Sequence, residues 1–170
     1  AFTYNKIANY DKALEFHFIS HKPATEIDDK LEIANSLNQI GHVYTRMGEY
    51  IIALDYYKRS LVIEEERGDK YYIGNTVRFM GDTYYHLDNY KKALHYFMRF
   101  LNIQEELGSK DGIALALMDL GYYHSYIGIY EKALEHYKRS VRINENIDNK
   151  YKVVFNLRSL GRLYYRMGEY

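Results

Sequence analysis

The 170-residue chain balances 23 Lys plus Arg against 23 Asp plus Glu, so no overall field draws it to nucleic acid or to an anionic membrane. It has no cysteine, which excludes disulfides and thiolate metal sites. No apolar run approaches the roughly 20 residues of a membrane span, and the start lacks a signal-peptide core, so a soluble cytoplasmic chain is expected.

The first window, 1–29, reads as a damaged copy of the later windows. Ala1 stands where Gly41, Gly81, Gly121 and Gly161 stand in later copies of a decapeptide that runs from Gly41 to Tyr50 and recurs every 40 residues. A fixed period in this range marks a solenoid of one repeated supersecondary unit. The expected divisions are a partial repeat at 1–29, full repeats at 30–69, 70–109 and 110–149, and a lone first helix at 150–170, forming one domain cut at both ends. In the opening repeat a second helix is expected from about Tyr10. Pro23 is expected to stop or kink it near His21, since a proline inside a helix removes a hydrogen bond and crowds the preceding turn.

From Lys30 the pattern is regular. Apolar residues at helical spacing (Ile33, Ala34, Leu37, Ile40 and Tyr44, then Tyr50, Ala53, Leu54, Tyr57 and Leu61) predict paired amphipathic helices, and the pattern is echoed in each later repeat. Helices are predicted at 30–47, 50–67, 70–87, 90–107, 110–127, 130–147 and 150–167. Asp29, Asp69, Ser109 and Asn149 stand as N-caps, and Gly48, Gly68, Gly108, Gly128 and Gly168 as left-handed terminators. Asp88 takes one such position less comfortably.

Gly41, Gly81, Gly121 and Gly161 fall inside first helices, where each costs about 1 kcal/mol against alanine. Close approach of the second helix, with Ala53, Ala93 or Ala133 facing the gap, is the expected compensation. Leucine at Gly81 is expected to force the pair apart.

These letters resemble the tetratricopeptide repeat. The family's bulky residue, Leu-Gly, Tyr, Ala, aromatic and small residue match Leu37, Ile40-Gly41, Tyr44, Ala53, Tyr57 and Ser60, then Val77, Met80-Gly81, Tyr84, Ala93 and Phe97, then Leu117, Leu120-Gly121, Ala133, Tyr137 and Ser140. The 40-residue period exceeds the commoner 34 and is similar to the longer Pins-type and bacterial regulatory repeats. His124 and Phe100 break their columns. The resemblance implies an all-α fold, a right-handed α-α superhelix of antiparallel helix pairs. It also implies binding of a protein or peptide in a concave groove lined by the first helices, with no catalytic activity and no cofactor.

By that resemblance the groove positions are Asn35, Asn38, His42, Thr45 and Arg46, then Asn75, Arg78, Asp82, Tyr85 and His86, then Leu115, Met118, Tyr122, Ser125 and Tyr126, and finally Phe155, Arg158, Arg162, Tyr165 and Arg166. Steps of three and four put each set on one side of its helix. Asn35, Asn38 and Asn75 offer donors and acceptors to a peptide backbone, and the arginines offer forks to carboxylates. An acidic ligand with a bulky apolar anchor for Met118 and Tyr122 is the expected partner. The same polar residues also suit a merely solvated face. His42, Asp82 and Tyr122 depart from the family's carboxylate clamp.

Asp82, His86 and His42 have a spacing that metal ligands use, but Arg78 four residues before Asp82 is placed to pair with it, so no metal is expected. His124 reads as a satisfied buried histidine. No nucleophile with base and orienting acid recurs, and no phosphate loop is present, so no enzyme is expected. The arginines of one helix alone do not make a nucleic-acid site. In the tyrosine pairs 56–57, 71–72, 84–85, 122–123 and 164–165, one member is expected to pack between repeats and the other to reach a surface, with packing by both as the alternative. The leading expectation is a peptide-binding module. The alternatives are self-association through exposed ends, or a sensor segment within a larger regulatory protein.

Overall fold

The computed structural model describes residues 2–168, which form helices throughout. They are α1 (Phe2–Glu26), α2 (Lys30–Met47), α3 (Tyr50–Arg67), α4 (Lys70–His86), α5 (Tyr90–Glu106), α6 (Lys110–Tyr126), α7 (Tyr130–Asn146) and α8 (Lys150–Met167). From α2 onward every boundary falls within one residue of its sequence expectation. The chain divides into two compact units, 1–93 and 94–170, with the division inside α5. In the first unit α1 packs on α2, α2 on α3 and α3 on α4; in the second, α6 packs on α7 and α7 on α8. This is the all-α, helix-pair architecture of an α-α superhelix.

The turns explain the regularity. Asp28, Gly48, Gly68, Asp88, Gly108, Gly128, Asp148 and Gly168 all have positive φ, between +53° and +88°, and they succeed one another every 20 residues. At Gly48 the amide donates back to the Thr45 carbonyl, and the next amide, Glu49, reaches Tyr44. Left-handed backbone closes the helix end by satisfying carbonyls that have no partner further along. Asp29, Asp69, Ser109 and Asn149 then accept from amides of the next helix through their side chains.

The opening repeat breaks the expectation twice. Its helix pair is a single helix, α1, which runs unbroken through Tyr10 and past Pro23. Ala8 occupies the column of Gly48 and Gly128, and left-handed backbone costs an L-residue with a Cβ roughly 1–2 kcal/mol, so the chain stays helical where later copies turn. Pro23 lies only three residues before the end of α1 and forfeits a single bond. The end is closed by Ile27 N donating to Pro23 O at 3.1 Å and Asp29 N to Ala24 O at 2.9 Å. Ala24 is buried, and stopping at His21 would uncover it. His21 itself ties α1 to α2. The Ser36 hydroxyl spends its proton on Ile33 O, so His21 Nδ1 donates to Ser36 Oγ at 2.6 Å.

The mid-helix glycines are explained by an aromatic ring, not by the alanine expected. A Cβ at Gly41 would stand 2.7 Å from Tyr57 Cε1, and one at Gly121 would stand 2.7 Å from Tyr137 Cδ1. Tyr57 cannot yield. It is buried against Phe79, with ring centroids 5.7 Å apart, and its hydroxyl meets Thr45 Oγ1 at 3.1 Å. Nothing lies within 4 Å of the corresponding point at Gly161.

The glycines therefore separate in their response. In this 170-residue chain Gly161→Ala is expected to raise the unfolding free energy by about 0.5–1 kcal/mol through helix propensity. Gly121→Ala is expected to lower it despite the same gain, because overpacking a fixed ring costs about 1–3 kcal/mol. Urea titration of the two variants checks the opposite signs. Asp148→Gly, which relieves left-handed backbone at φ +54°, is expected to raise the unfolding free energy as well, by about 1 kcal/mol.

Candidate functional site

In the first unit, α2 and α4 present the expected polar surface with some members turned inward. Asn35 and Asn75 are half-buried and share a pocket of about 640 Å³ with Asn38, Gln39, Glu32, His17, Tyr71, Tyr72 and Phe79. His42 and Arg46 are exposed, and the His42 ring leans on Phe79 with centroids 6.0 Å apart. Partial burial, then the Arg46 charge, lowers the His42 pKa. Arg78, Asp82 and Tyr85 are half-buried. His86 stacks on Tyr50, with centroids 5.3 Å apart and planes 5° from parallel. Thr45 does not face outward freely: its hydroxyl donates to Gly41 O at 3.0 Å and receives Tyr57. Gln39 and Phe79, which sequence reasoning left out, occupy one column that varies between repeats, and that variation was the available signal.

Asn38 is buried rather than displayed. Its Nδ2 donates to Glu64 Oε1 at 2.8 Å and to Thr76 Oγ1 at 2.7 Å. Thr76 Oγ1 donates to the same Glu64 oxygen at 2.9 Å, while Ser60 Oγ lies 3.1 Å from it and donates to Ala34 O at 2.8 Å. Glu64 is 1% exposed, and neither its Oε2 nor Asn38 Oδ1 has a protein partner. Burial raises the Glu64 pKa from the ordinary 4.5, and the hydrogen bonds that Thr76 and Asn38 donate to its carboxyl oppose that rise.

In the second unit, α6 and α8 carry Met118, half-buried, with Tyr122 and Tyr126 exposed. Arg158, Arg162 and Arg166 are exposed along α8, and Arg166 Nη1 donates to Ser125 O at 3.1 Å, tying α8 to α6. Leu115, Met118 and Phe155 line a pocket of about 170 Å³ together with Ala114, Ser140, Asn144, Tyr151 and Lys152. Ser140 and Asn144 come from α7, outside the first helices on which the sequence places the groove. His124 is a satisfied buried histidine: its Nδ1 donates to Leu120 O at 2.8 Å, and burial lowers its pKa. Its ring lies 5.1 Å from that of His136. One tyrosine of the 56–57, 84–85 and 122–123 pairs is buried and the other is not, whereas Tyr71 is exposed and Tyr72 half-buried. Among the described residues no group of three or more His, Asp or Glu is arranged to hold a metal, and no helix is long and apolar enough to cross a membrane.

A family model described as tetratricopeptide repeat matches residues 32–106 and 72–146. The chain belongs to the tetratricopeptide repeat family.

Solved structures agree in fold. Aspartyl phosphate phosphatase F from Bacillus subtilis superposes with a TM-score of 0.85 at 15% identity, over 96% of this chain and 44% of that one. A Rap protein in complex with competence and sporulation factor gives 0.81 at 20% identity, over 96% and 46%. A putative kinesin light chain from Podosopora anserina gives 0.76 at 13% identity, over 98% and 82%. This chain spans less than half the length of the first two. No curated protein matches it in sequence.

Within the tetratricopeptide frame, Glu64, Gln104 and Asn144 occupy one buried column. Only the first is ionisable. Its raised pKa favours the neutral carboxyl in the folded state. The stability it contributes is therefore complete below 4.5 and is lost as pH rises through the raised value. Glu64→Gln keeps the accepting oxygen and removes the charge. The variant is expected to be more stable at pH 7 by on the order of 1 kcal/mol, and the gap should close as pH falls towards 4.5. Thermal midpoints of both proteins across that range check it, and a gap constant with pH would count against the assignment.

Proposed function

We propose that this tetratricopeptide module is a protein-interaction module, and that each unit receives a peptide segment on its first-helix surface. The observation that carries the reading is the amide-rich pocket of the first unit, where Asn35, Gln39 and Asn75 converge beside Phe79. An extended backbone offers alternating N–H and C=O groups, and side-chain amides are the neutral groups that answer both. The second unit differs in chemistry. Arg158, Arg162 and Arg166 lie on the helix that carries Phe155, and they favour acidic side chains next to an apolar anchor at Met118 and Tyr122. The Rap protein of similar fold is complexed with competence and sporulation factor.

The test is a peptide array probed with the intact chain, with Asn35→Ala/Asn75→Ala, and with the triple variant Arg158→Ala/Arg162→Ala/Arg166→Ala. Acidic peptides with one bulky apolar residue are expected to be retained by the unaltered chain and weakened about tenfold or more by the triple variant. Added salt should narrow that difference, because the guanidinium groups are solvent-exposed. Equal recovery of every peptide by all three proteins would sink the site. Sedimentation across a concentration series, with a monomer throughout, would set aside assembly through copies of the chain.

A further inference from the structure

α8 repeats the letters by which α2 and α6 receive a second helix, and its copy of that face is open. Val154, Leu157, Gly161 and Tyr164 occupy the columns of Ala34, Leu37, Gly41 and Tyr44. Leu157 is 52% exposed, whereas Leu37 and Leu117, in its column, are 2% and 0% exposed. Val154 is exposed where Ala34 and Ala114 are buried. Gly41 and Gly121 each lie under a tyrosine ring, and Gly161 has nothing within 4 Å of the same point. A glycine inside a helix weakens it, and at Gly161 no ring of the chain offsets the loss.

α1 carries the complementary set. From Tyr10 onward its residues fall in the columns of the second helices, Ala13 with Ala53, Phe16 with Tyr56 and His17 with Tyr57. Ala53, Ala93 and Ala133 are buried, and so are Tyr57, Phe97 and Tyr137, but Ala13 and His17 are only half-buried. Phe16 is 69% exposed, whereas Tyr56 stacks on Tyr44 with ring centroids 5.6 Å apart and planes 12° from parallel. Among the described helices that hold these columns, α1 is the one whose set is uncovered.

The contacts between α2 and α3 therefore translate residue for residue. The stack of Tyr56 on Tyr44 becomes Phe16 on Tyr164, and the ring of Tyr57 on Gly41 becomes His17 on Gly161. An imidazole suffices for the second contact. At Gly121 the space is taken by Cδ1 and Cγ of Tyr137, 2.7 and 3.1 Å from the point where a Cβ would stand, and an imidazole has its own Cδ2 and Cγ in those places. Two α8 faces do not suit each other, because α8 carries Lys150, Lys152, Arg158, Arg162 and Arg166 and no acidic residue. α1 brings Asp11, Glu15 and Glu26 among its lysines.

We propose that the open face of α8 receives α1 of a second copy of this chain, in the register of the α2–α3 pair. The contact joins two different faces, so each copy offers one and takes the other. The inference is independent of the peptide reading.

Sedimentation velocity of the intact chain over a concentration series is expected to show species heavier than one chain as concentration rises. Gly161→Ala sets a Cβ where the ring must lie and is expected to weaken association about tenfold or more. The same substitution is expected to stabilise the single chain, so urea titration of the samples separates loss of contact from loss of fold. Phe16→Glu, at a position exposed in the single chain, is expected to weaken association to a similar degree. Mixed in equal amounts, the two variants are expected to form a dimer and nothing larger, because the α8 face of Phe16→Glu is intact and meets the intact α1 of Gly161→Ala. A chain monomeric at every concentration would overturn the proposal, as would a Gly161→Ala chain that associates as well as the unaltered one. Dimers of Phe16→Glu alone would assign α8 to a symmetric pairing and overturn α1 as its occupant. A mixture that stays monomeric while the unaltered chain associates would overturn the pairing of α8 with α1.

Discussion

The structure depends on two tyrosine rings lying on two glycines. Where Tyr57 covers Gly41 and Tyr137 covers Gly121, the ring occupies space that any Cβ would claim. The helix pair must therefore close around one side-chain position rather than around a general apolar seam. Its register is set there, because sliding either helix by a residue would set a Cβ against the ring. The hydroxyls fix the same register further along the pair. Ser60 donates to Ala34 O and Ser140 to Ala114 O, an identical bond across an identical sequence separation in two repeats. The glycine sets how near the helices come, and the serine sets where along their length they meet.

Turn chemistry then turns a local pair into a periodic chain. Left-handed residues every 20 positions give each helix the same length, so each second helix ends where the next first helix can begin. Three of these positions hold aspartate, whose short polar side chain tolerates the conformation better than most residues with a Cβ. Ala8 marks the limit of that tolerance. With no side-chain oxygen to compensate and no freedom to turn, the chain continues as one helix of 25 residues.

Much of this was legible from the letters. Apolar spacing and glycine placement located the helices from Lys30 onward, because both signals are local and repeat without interruption. Pro23 misled for a local reason too: the penalty of a proline depends on how much helix lies beyond it, and the stretch ending at Glu26 was too short to forfeit more than one bond. The candidate site was less legible. Spacing along one helix tells which residues share a side, but it does not tell what the neighbouring helix brings to that side. Asn38 looked like a displayed amide until Glu64 of α3 and Thr76 of α4 met it. Thr45 was claimed by Tyr57 in the same way. Asn144 was passed over because it sits on a second helix, although its side chain reaches the pocket lined by α6 and α8.

Buried polar residues at the 64, 104 and 144 column give the repeats their individuality from inside. An apolar residue there would satisfy the packing and leave nothing to answer. Glutamate and asparagine instead hold the local register with one polar atom and leave another, Glu64 Oε2 or Asn144 Oδ1, without a protein partner. Such an atom carries a standing cost that the scaffold bonds do not recover. Asn144 and the Asn38 that Glu64 holds also line pockets on first-helix surfaces, with their own unmet oxygens sealed from solvent. The interior of this tetratricopeptide module and its pocket-lined first-helix surface are thus not separate layers. The polar bonds that position one helix against the next hold residues that also line the pockets, Asn38 in the first unit and Asn144 in the second.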